Sequence, residues 1–248
     1  LNHTEVITGN TLAMTNNDKD VIPYWIVTDA TGTELGHFNT NSSSVIIPFK
    51  GTYLVTYTAY TRGGALHTEP KTITVDKTDL SSITTDPRWA MLTNGAIGKT
   101  WVLNMEKPLE FLGKPTNYVN LAVSGGGWYP SLSEIPWAGL ENKDWGEVTF
   151  DLNEGYNVSV TQTSPAIGST EKTTKKGTFV FSLTDGSTND KITFNGGTEM
   201  LHPNDAGYFS PTYTFTNIKI VELTATSLCF IAIRADNDWM IYHLKPKQ

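Results

Sequence analysis

Short stretches in which apolar and polar residues alternate run through the whole chain of 248 residues. In residues 52–60, Tyr53, Val55 and Tyr57 fall on one side of an extended strand, and three threonines fall on the other. Turns rich in glycine, proline and asparagine separate these stretches. The pattern predicts an all-β protein built of many short strands.

The first 78 residues predict a small β-sandwich. About seven short strands fit into this length, as in an immunoglobulin-type domain. Trp25 lies in the apolar run 24–27 and is expected in the core. Nothing in this part of the sequence indicates chemistry.

A polar segment, residues 79–88, predicts a linker to a second domain, residues 89–248. A short helical turn is expected over residues 88–93, because Pro87 suits the first turn of a helix. The remainder predicts about eight or nine strands, which form one sandwich or barrel.

Two strand patterns in the second domain make specific predictions. Residues 228–233 are almost all apolar, which predicts burial on both faces and an inert, buried thiol at Cys229. Residues 215–223 alternate, which predicts Phe215 and Lys219 on one face and Ile218 and Ile220 on the other.

Charge and hydropathy exclude some functions. The formal net charge is −7 and no run of Lys and Arg exceeds two residues, which argues against a nucleic-acid partner. No apolar run approaches the roughly 20 residues that span a bilayer. The chain starts at Leu1 without a Met, so we expect a mature or trimmed chain. A single cysteine allows no internal disulfide and does not exclude an extracellular protein.

Large aromatic side chains are concentrated in irregular segments of the second domain. Apolar rings on loops are costly to expose unless something covers them, and the flat C–H face of a sugar is a suitable cover. Nearby polar groups would bind the hydroxyls. The candidate ligand-binding residues are Trp128, Tyr129, Trp137, Asp144, Trp145, Glu147, Asn237 and Trp239. The alternative is that these tryptophans plug an open end of the β-domain.

Catalytic and metal sites have weaker support. A glycosidase needs two facing carboxyl groups, and Glu134, Glu141, Asp144 and Glu147 supply the residue type. Asp144 and Glu147 are three residues apart, so we expect them not to share a strand face. No catalytic residue and no cofactor are assigned. Residues 185–190 are rich in oxygen ligands for calcium, although a hairpin turn explains them equally well.

The first domain resembles a polycystic-kidney-disease (PKD) repeat. The resemblance rests on the segment Phe49-Lys-Gly-Thr-Tyr-Leu-Val, on the Trp25 strand before it and on the closing strand around Ile73. It covers most of residues 4–76 and implies an immunoglobulin-like fold that acts as a spacer or interaction module.

The second domain resembles the C-terminal domains of surface lipoproteins from starch-utilisation-type polysaccharide systems of Gram-negative bacteria. The resemblance rests on the segments that begin at Gly98, Trp128, Asp144 and Ile218. It implies a jelly-roll β-sandwich or, alternatively, a lipocalin-like barrel. It also implies glycan capture on the outer face of the outer membrane, or secretion, with membrane attachment only through a lipid anchor outside these residues. A further implied partner is an outer-membrane transporter complex.

These observations favour a non-catalytic protein that binds extracellular polysaccharide or oligosaccharide through loop aromatic residues. Two alternatives stay open. One is a glycoside hydrolase or lyase of jelly-roll type, and the other is an adhesion or structural protein of the cell surface.

Overall fold

The computed structural model describes residues 1–113, 128–184, 190–203, 213–234 and 239–248. The chain forms two compact units, Leu1–Thr85 and Asp86–Gln248. Both units are built mainly of antiparallel strands, so the all-β prediction is confirmed.

The first unit contains two sheets that share one hydrophobic core. One sheet has the order β1-β2-β5; in the other, β4-β3-β6-β7 follow one another and β8 also pairs with β6. Trp25 is fully buried in that core, as the sequence predicted, beside Tyr57 at 4.3 Å between ring centroids. The strands are β1 His3–Thr8, β2 Thr11–Asn16, β3 Ile22–Asp29, β4 Glu34–Phe38, β5 Ser42–Ile46, β6 Gly51–Thr61, β7 Gly64–His67 and β8 Lys71–Val75.

The second unit is a closed barrel of eight strands. Its neighbours run β9-β11-β12-β13-β14-β15-β16-β17, and β17 pairs again with β9, while β10 adds a ninth strand on β17. The jelly-roll expectation is corrected here, because one continuous sheet closes on itself and does not form two facing sheets. The elements are α1 Pro87–Thr93, β9 Lys99–Leu103, β10 Leu109–Gly113, β11 Gly146–Asp151, β12 Asn157–Thr163, β13 Lys172–Ser182, β14 Lys191–Phe194, β15 Tyr213–Leu223, β16 Leu228–Arg234 and β17 Trp239–Pro246.

Helix α1 packs at one end of this barrel. Asp86 caps its first turn by accepting a hydrogen bond from the amide of Arg88, and Pro87 follows the cap, which confirms the predicted helical turn. Trp89 packs against Phe181, and the indole of Trp101 donates to a helix carbonyl at 3.0 Å.

Large side chains fill the barrel interior. Trp101, Phe150, Phe179, Phe230 and Tyr242 are each at most 1% exposed. A barrel of eight strands is just wide enough for such side chains, and each contributes about 2–3 kcal/mol by its burial.

Residues 228–232 of strand β16 are buried on both faces, as the apolar sequence predicted, and burial raises the pKa of the Cys229 thiol to about 12. Strand β15 departs from simple alternation. Phe215, Ile218, Lys219 and Ile220 are all buried, because irregularities in the pairing of β15 with β16 shift the register. Ile218 and Lys219 are consecutive in the ladder with β14, and Lys219 and Ile220 are consecutive in the ladder with β16. Lys219 therefore faces away from the two isoleucines, and both faces of the strand are buried here.

Gly146, at the start of β11, tests how closely the backbones of β11 and β12 approach each other. Its φ is +106°, and an added Cβ would lie 1.8 Å from the carbonyl oxygen of Thr161. We expect Gly146→Ala to lower the free energy of unfolding of the second unit by about 3 kcal/mol or more, measured by urea denaturation.

The matched control is Gly168→Ala, where φ is +70° and no atom lies within 4 Å of the added Cβ. This variant is expected to cost only about 1 kcal/mol, from backbone strain alone. Equal losses in the two variants would show that the close approach of β11 to β12 is not a constraint.

His202 predicts a pH dependence of stability. Burial holds its pKa at about 3, below its ordinary value of 6.5, and the ring stacks on Phe215 at 3.5 Å between centroids. Between these two pH values the unfolded chain binds a proton that the folded chain does not. The free energy of unfolding should therefore fall as the pH drops from 6.5 towards 3, by about 2–3 kcal/mol at about pH 4.5.

Urea denaturation of wild type and His202→Gln at about pH 7 and about pH 4.5 measures this contribution, and the variant should lose less stability on acidification. His37→Gln, at an exposed histidine of the first unit, is the control and should behave as wild type. An unchanged acid response in His202→Gln would contradict the assignment.

Candidate functional site

The candidate site lies where one edge of strand β17 pairs with two different strands, β9 and β10. The end of β17 pairs with β9, from Leu244 to Pro246, and its beginning pairs with β10, from Trp239 to Tyr242. Strands β9 and β10 therefore lie end to end, and residues 104–108 loop out between them. The other edge of β10 bonds the residues that follow: Phe111 and Trp128 exchange two backbone hydrogen bonds, at 2.8 and 3.0 Å.

Three rings gather at this edge, and we name Phe111, Trp128 and Trp137 the aromatic surface. Phe111 lies 5.3 Å from Trp128 and 5.7 Å from Trp137, measured between ring centroids. The two indole planes are nearly parallel, 16° apart with centroids 6.1 Å apart. Trp128 is 48% exposed and Trp137 is 53% exposed. Two predicted aromatic residues are thus brought together and remain half in contact with water.

The segment that carries Trp137 is held rigidly. Ser131 and Glu134 form a capping box, in which the Glu134 carboxylate accepts hydrogen bonds from the Ser131 amide and hydroxyl at 2.7 Å. These bonds hold the pKa of Glu134 below its usual range. Ile135 and Ala138, on either side of Pro136 and Trp137, are 1% exposed and anchor the turn. The exposed indole is therefore fixed by its buried neighbours.

Tyr129 packs against the outer wall of the barrel. Its ring stacks on His243 at 4.2 Å, and burial raises its pKa to about 12, with nearby Cys229 and Glu110 adding to the shift. The His243 Nδ1 atom is in turn 3.1 Å from the Cys229 sulfur. Tyr129 thus anchors the chain just after Trp128 and does not extend the aromatic surface.

Trp145, unlike Trp128 and Trp137, is almost completely buried. Its side chain is only 3% exposed, its indole donates to the Glu141 carbonyl at 3.1 Å, and the Lys143 ammonium lies 4.5 Å from the ring centroid. So little of this residue is exposed that its ring offers almost no surface for stacking, although the residue borders the cleft described next. The sequence pattern did not distinguish it from Trp128 and Trp137, because all three lie in the same irregular connection.

Asp144 and Glu147 line one cleft of about 440 Å³, together with Asn142, Met105 and Lys247. Asp144 precedes β11 and Glu147 lies within it, so the two carboxylates do not share a strand face, although both border this cleft. Both are ion-paired, Asp144 with Lys172 at 2.5 Å and Glu147 with Lys247. The Lys172 hydrogen bond is the largest contribution that lowers the pKa of Asp144.

The remaining predicted positions, Asn237, Trp239 and the calcium candidate, are not part of the aromatic surface as described. Asn237 lies outside the described residues, and Trp239 is the first residue of β17. Of the calcium candidate, residues 185–189 also lie outside them. Asp190 is fully buried, and its carboxylate accepts hydrogen bonds from Arg88 at 2.9 Å and from the Thr184 amide at 2.8 Å. This carboxylate is therefore engaged by a guanidinium group.

Sequence reasoning missed strand β10, and with it Phe111, the ring on which both indoles rest. The signal was the short segment Leu-Glu-Phe-Leu at residues 109–112, which is flanked by Pro108 and Gly113. It was too short to stand out from a loop. Across the described ranges, no three His, Cys, Asp or Glu side chains are grouped closely enough to hold a metal ion.

No helix in the described part of the chain is both long and apolar enough to cross a bilayer. A scan of the chain against models of known protein families finds no match, and a search of the curated proteins also finds none. The function is therefore argued from the geometry of the aromatic surface and from the resemblances in the sequence.

Proposed function

We propose that the protein binds extracellular polysaccharide or oligosaccharide without catalysis, and that sugar rings stack on the aromatic surface. The observation that carries the proposal is the pair of near-parallel indoles of Trp128 and Trp137, each about half exposed. Exposed tryptophans are costly to hydrate, and the C–H face of a sugar ring covers them with little loss of hydroxyl hydration.

The rigidity of this surface supports the proposal. Trp128 is tied to β10 by two backbone hydrogen bonds, and Trp137 lies between buried anchors in a capped turn. A preorganised ligand surface loses little conformational entropy on binding. Recognition by stacking and short hydrogen bonds should depend only weakly on salt.

The resemblances in the sequence support the biological setting. A PKD-like first unit would act as a spacer for a glycan-binding second unit. The setting that follows from them is the outer face of a Gram-negative outer membrane, with a lipid anchor and a transporter complex as partner, or secretion. A barrel of the lipocalin-like type is consistent with the closed sheet of the second unit.

A glycoside hydrolase or lyase is the second candidate, because Asp144 and Glu147 line the same cleft. A general acid needs a carboxyl group whose pKa is raised, whereas ion pairing with Lys172 lowers that of Asp144. Glu147 is likewise paired with Lys247. The charges of this cleft therefore favour a structural role over glycoside cleavage.

Replacing the two exposed tryptophans tests the proposal. In titrations against a panel of soluble polysaccharides, Trp128→Ala and Trp137→Ala are each expected to weaken binding at least about tenfold, or about 1.4 kcal/mol, because each removes a stacking face. The folded state should be preserved, since both side chains are half exposed.

Tyr60→Ala is the matched control, since Tyr60 is an aromatic residue of similar exposure, 46%, in the first unit. It should bind as wild type. Polysaccharide binding that persists unchanged in both tryptophan variants would refute the aromatic surface as the site.

A reducing-sugar assay on the same panel separates binding from hydrolysis, and an unsaturation assay at about 235 nm does the same for lyase chemistry. We expect no product release by wild type, and no difference between wild type and Asp144→Asn. Turnover that Asp144→Asn or Glu147→Gln abolishes would establish the enzymatic alternative.

A further inference from the structure

The wall of the barrel splits between strands β9 and β11. The two strands pair only as far as Trp101 and Val148. Strand β11 nevertheless continues along β12 to Gly146, and β9 continues along β17 to Leu103. Beyond their last pair the strands therefore separate, and a cleft of about 440 Å³ opens between them. We name it the split cleft, and its accessible side chains are Val102, Met105, Asn142, Asp144, Glu147 and Lys247.

Side chains on both sides of the split point to the outer surface of the barrel. Glu147 and Val102 each lie between two buried residues of their strands, and neither is itself buried. Because neighbouring residues of a strand alternate between its faces, both side chains face outward. The Lys247 ammonium pairs with Glu147 and therefore lies on the same face. A ligand in the split cleft can reach all three side chains.

The ion pairs of the split cleft leave hydrogen-bonding capacity for a ligand. Asp144 accepts hydrogen bonds from the Gly146 amide at 2.8 Å and from Lys172 at 2.5 Å, whereas a carboxylate can accept about four. Its side chain is 66% exposed, and those of Lys247 and Glu147 are 54% and 34% exposed. The pairing that disfavours acid catalysis thus holds charged donors and acceptors in place and leaves them accessible.

The balance of charge in the split cleft indicates a neutral ligand. The charges of both carboxylates are cancelled by their lysine partners, and that of Lys143 is cancelled by Glu141 at 2.9 Å. The cleft as a whole therefore attracts neither an anion nor a cation. Hydroxyl groups both donate and accept hydrogen bonds and so fit this mixture of side chains. Val102 and Met105 add apolar surface for the C–H groups of a sugar.

Two segments of the chain keep the split cleft close to the aromatic surface. Asn142 follows Trp137 by five residues, so their Cα atoms are at most about 18 Å apart. The loop between β9 and β10 contributes Met105 to the cleft, and Lys107 of the same loop donates to the Tyr129 carbonyl at 3.3 Å. A glycan chain of several sugar residues is therefore long enough to contact both places.

We propose that the split cleft is a second saccharide subsite, in which the hydroxyl groups of one sugar residue bind Asn142, Asp144, Glu147 and Lys247. The ligand class rests on the proposed function, whereas the position and the forces differ, because hydrogen bonds act here and stacking acts at the indoles. The Asn142 amide is exposed and forms no hydrogen bond within the described residues, so it is available to a ligand. Linked contacts with one glycan chain raise the overall affinity above that of either site.

The experiment uses the full chain carrying Trp128→Ala and Trp137→Ala together, so that the aromatic surface no longer contributes. Glucose, galactose, mannose and N-acetylglucosamine are titrated, and backbone amide shifts are followed by NMR. At least one of these sugars should give saturable shifts at Val102, Met105 and Asn142.

Adding Asn142→Ala should weaken this binding about three- to tenfold, because one hydrogen bond to a sugar hydroxyl is lost. Asn153→Ala, at another exposed asparagine of the second unit, is the matched control and should bind as its parent does. Glu147→Gln should weaken binding at least about tenfold, because a charged acceptor is lost. Thermal stability should change little in these variants, since the replaced side chains are accessible.

Two results separate this inference from the proposed function. If no sugar shifts the amides of the split cleft while wild type binds polysaccharide through its tryptophans, the inference is wrong and the proposed function stands. If a sugar binds in the split cleft while the double tryptophan variant binds polysaccharide as wild type does, the inference stands and the aromatic surface is not the site. Sugar binding that both Asn142→Ala and Glu147→Gln leave unchanged also overturns the inference.

Discussion

The edge of strand β17 is the constraint on which the second unit depends. It has to pair with β9 to close the barrel, and it also pairs with β10 farther along the same edge. Because β9 and β10 share that edge, the far side of β10 has no barrel strand in the described ladders and bonds Trp128 instead. The pairing that closes the barrel therefore also creates the place where Trp128 and Trp137 emerge into water.

Side-chain packing and ion pairing differ between the inside and the outside of the barrel. Aromatic side chains fill the interior, and helix α1 packs at one end with Trp89 against the barrel wall. Lys172 and Lys247 pair with the carboxylates of Asp144 and Glu147 in one outer cleft.

Local patterns in the sequence were sufficient to predict local structure, but they did not predict that the sheet of the second unit closes into a barrel. The core position of Trp25, the helical turn after Asp86 and the double burial around Cys229 depend on neighbouring residues, and all were predicted. The barrel depends on β17 meeting β9 across more than a hundred residues, which alternation does not encode. Burial of Trp145 depends on Lys143 and Glu141 folding over it, and no periodicity marks that contact.

The central claim is that two particular indoles face water because a saccharide covers them, and hydroxyl-radical footprinting with mass spectrometry measures this directly. In the free protein, Trp128 and Trp137 should be oxidised while Trp145 and Trp101 are protected. Addition of a polysaccharide that binds should then protect Trp128 and Trp137 only. Tryptophans that resist oxidation in the free protein, or that react equally with and without the bound glycan, would contradict the account.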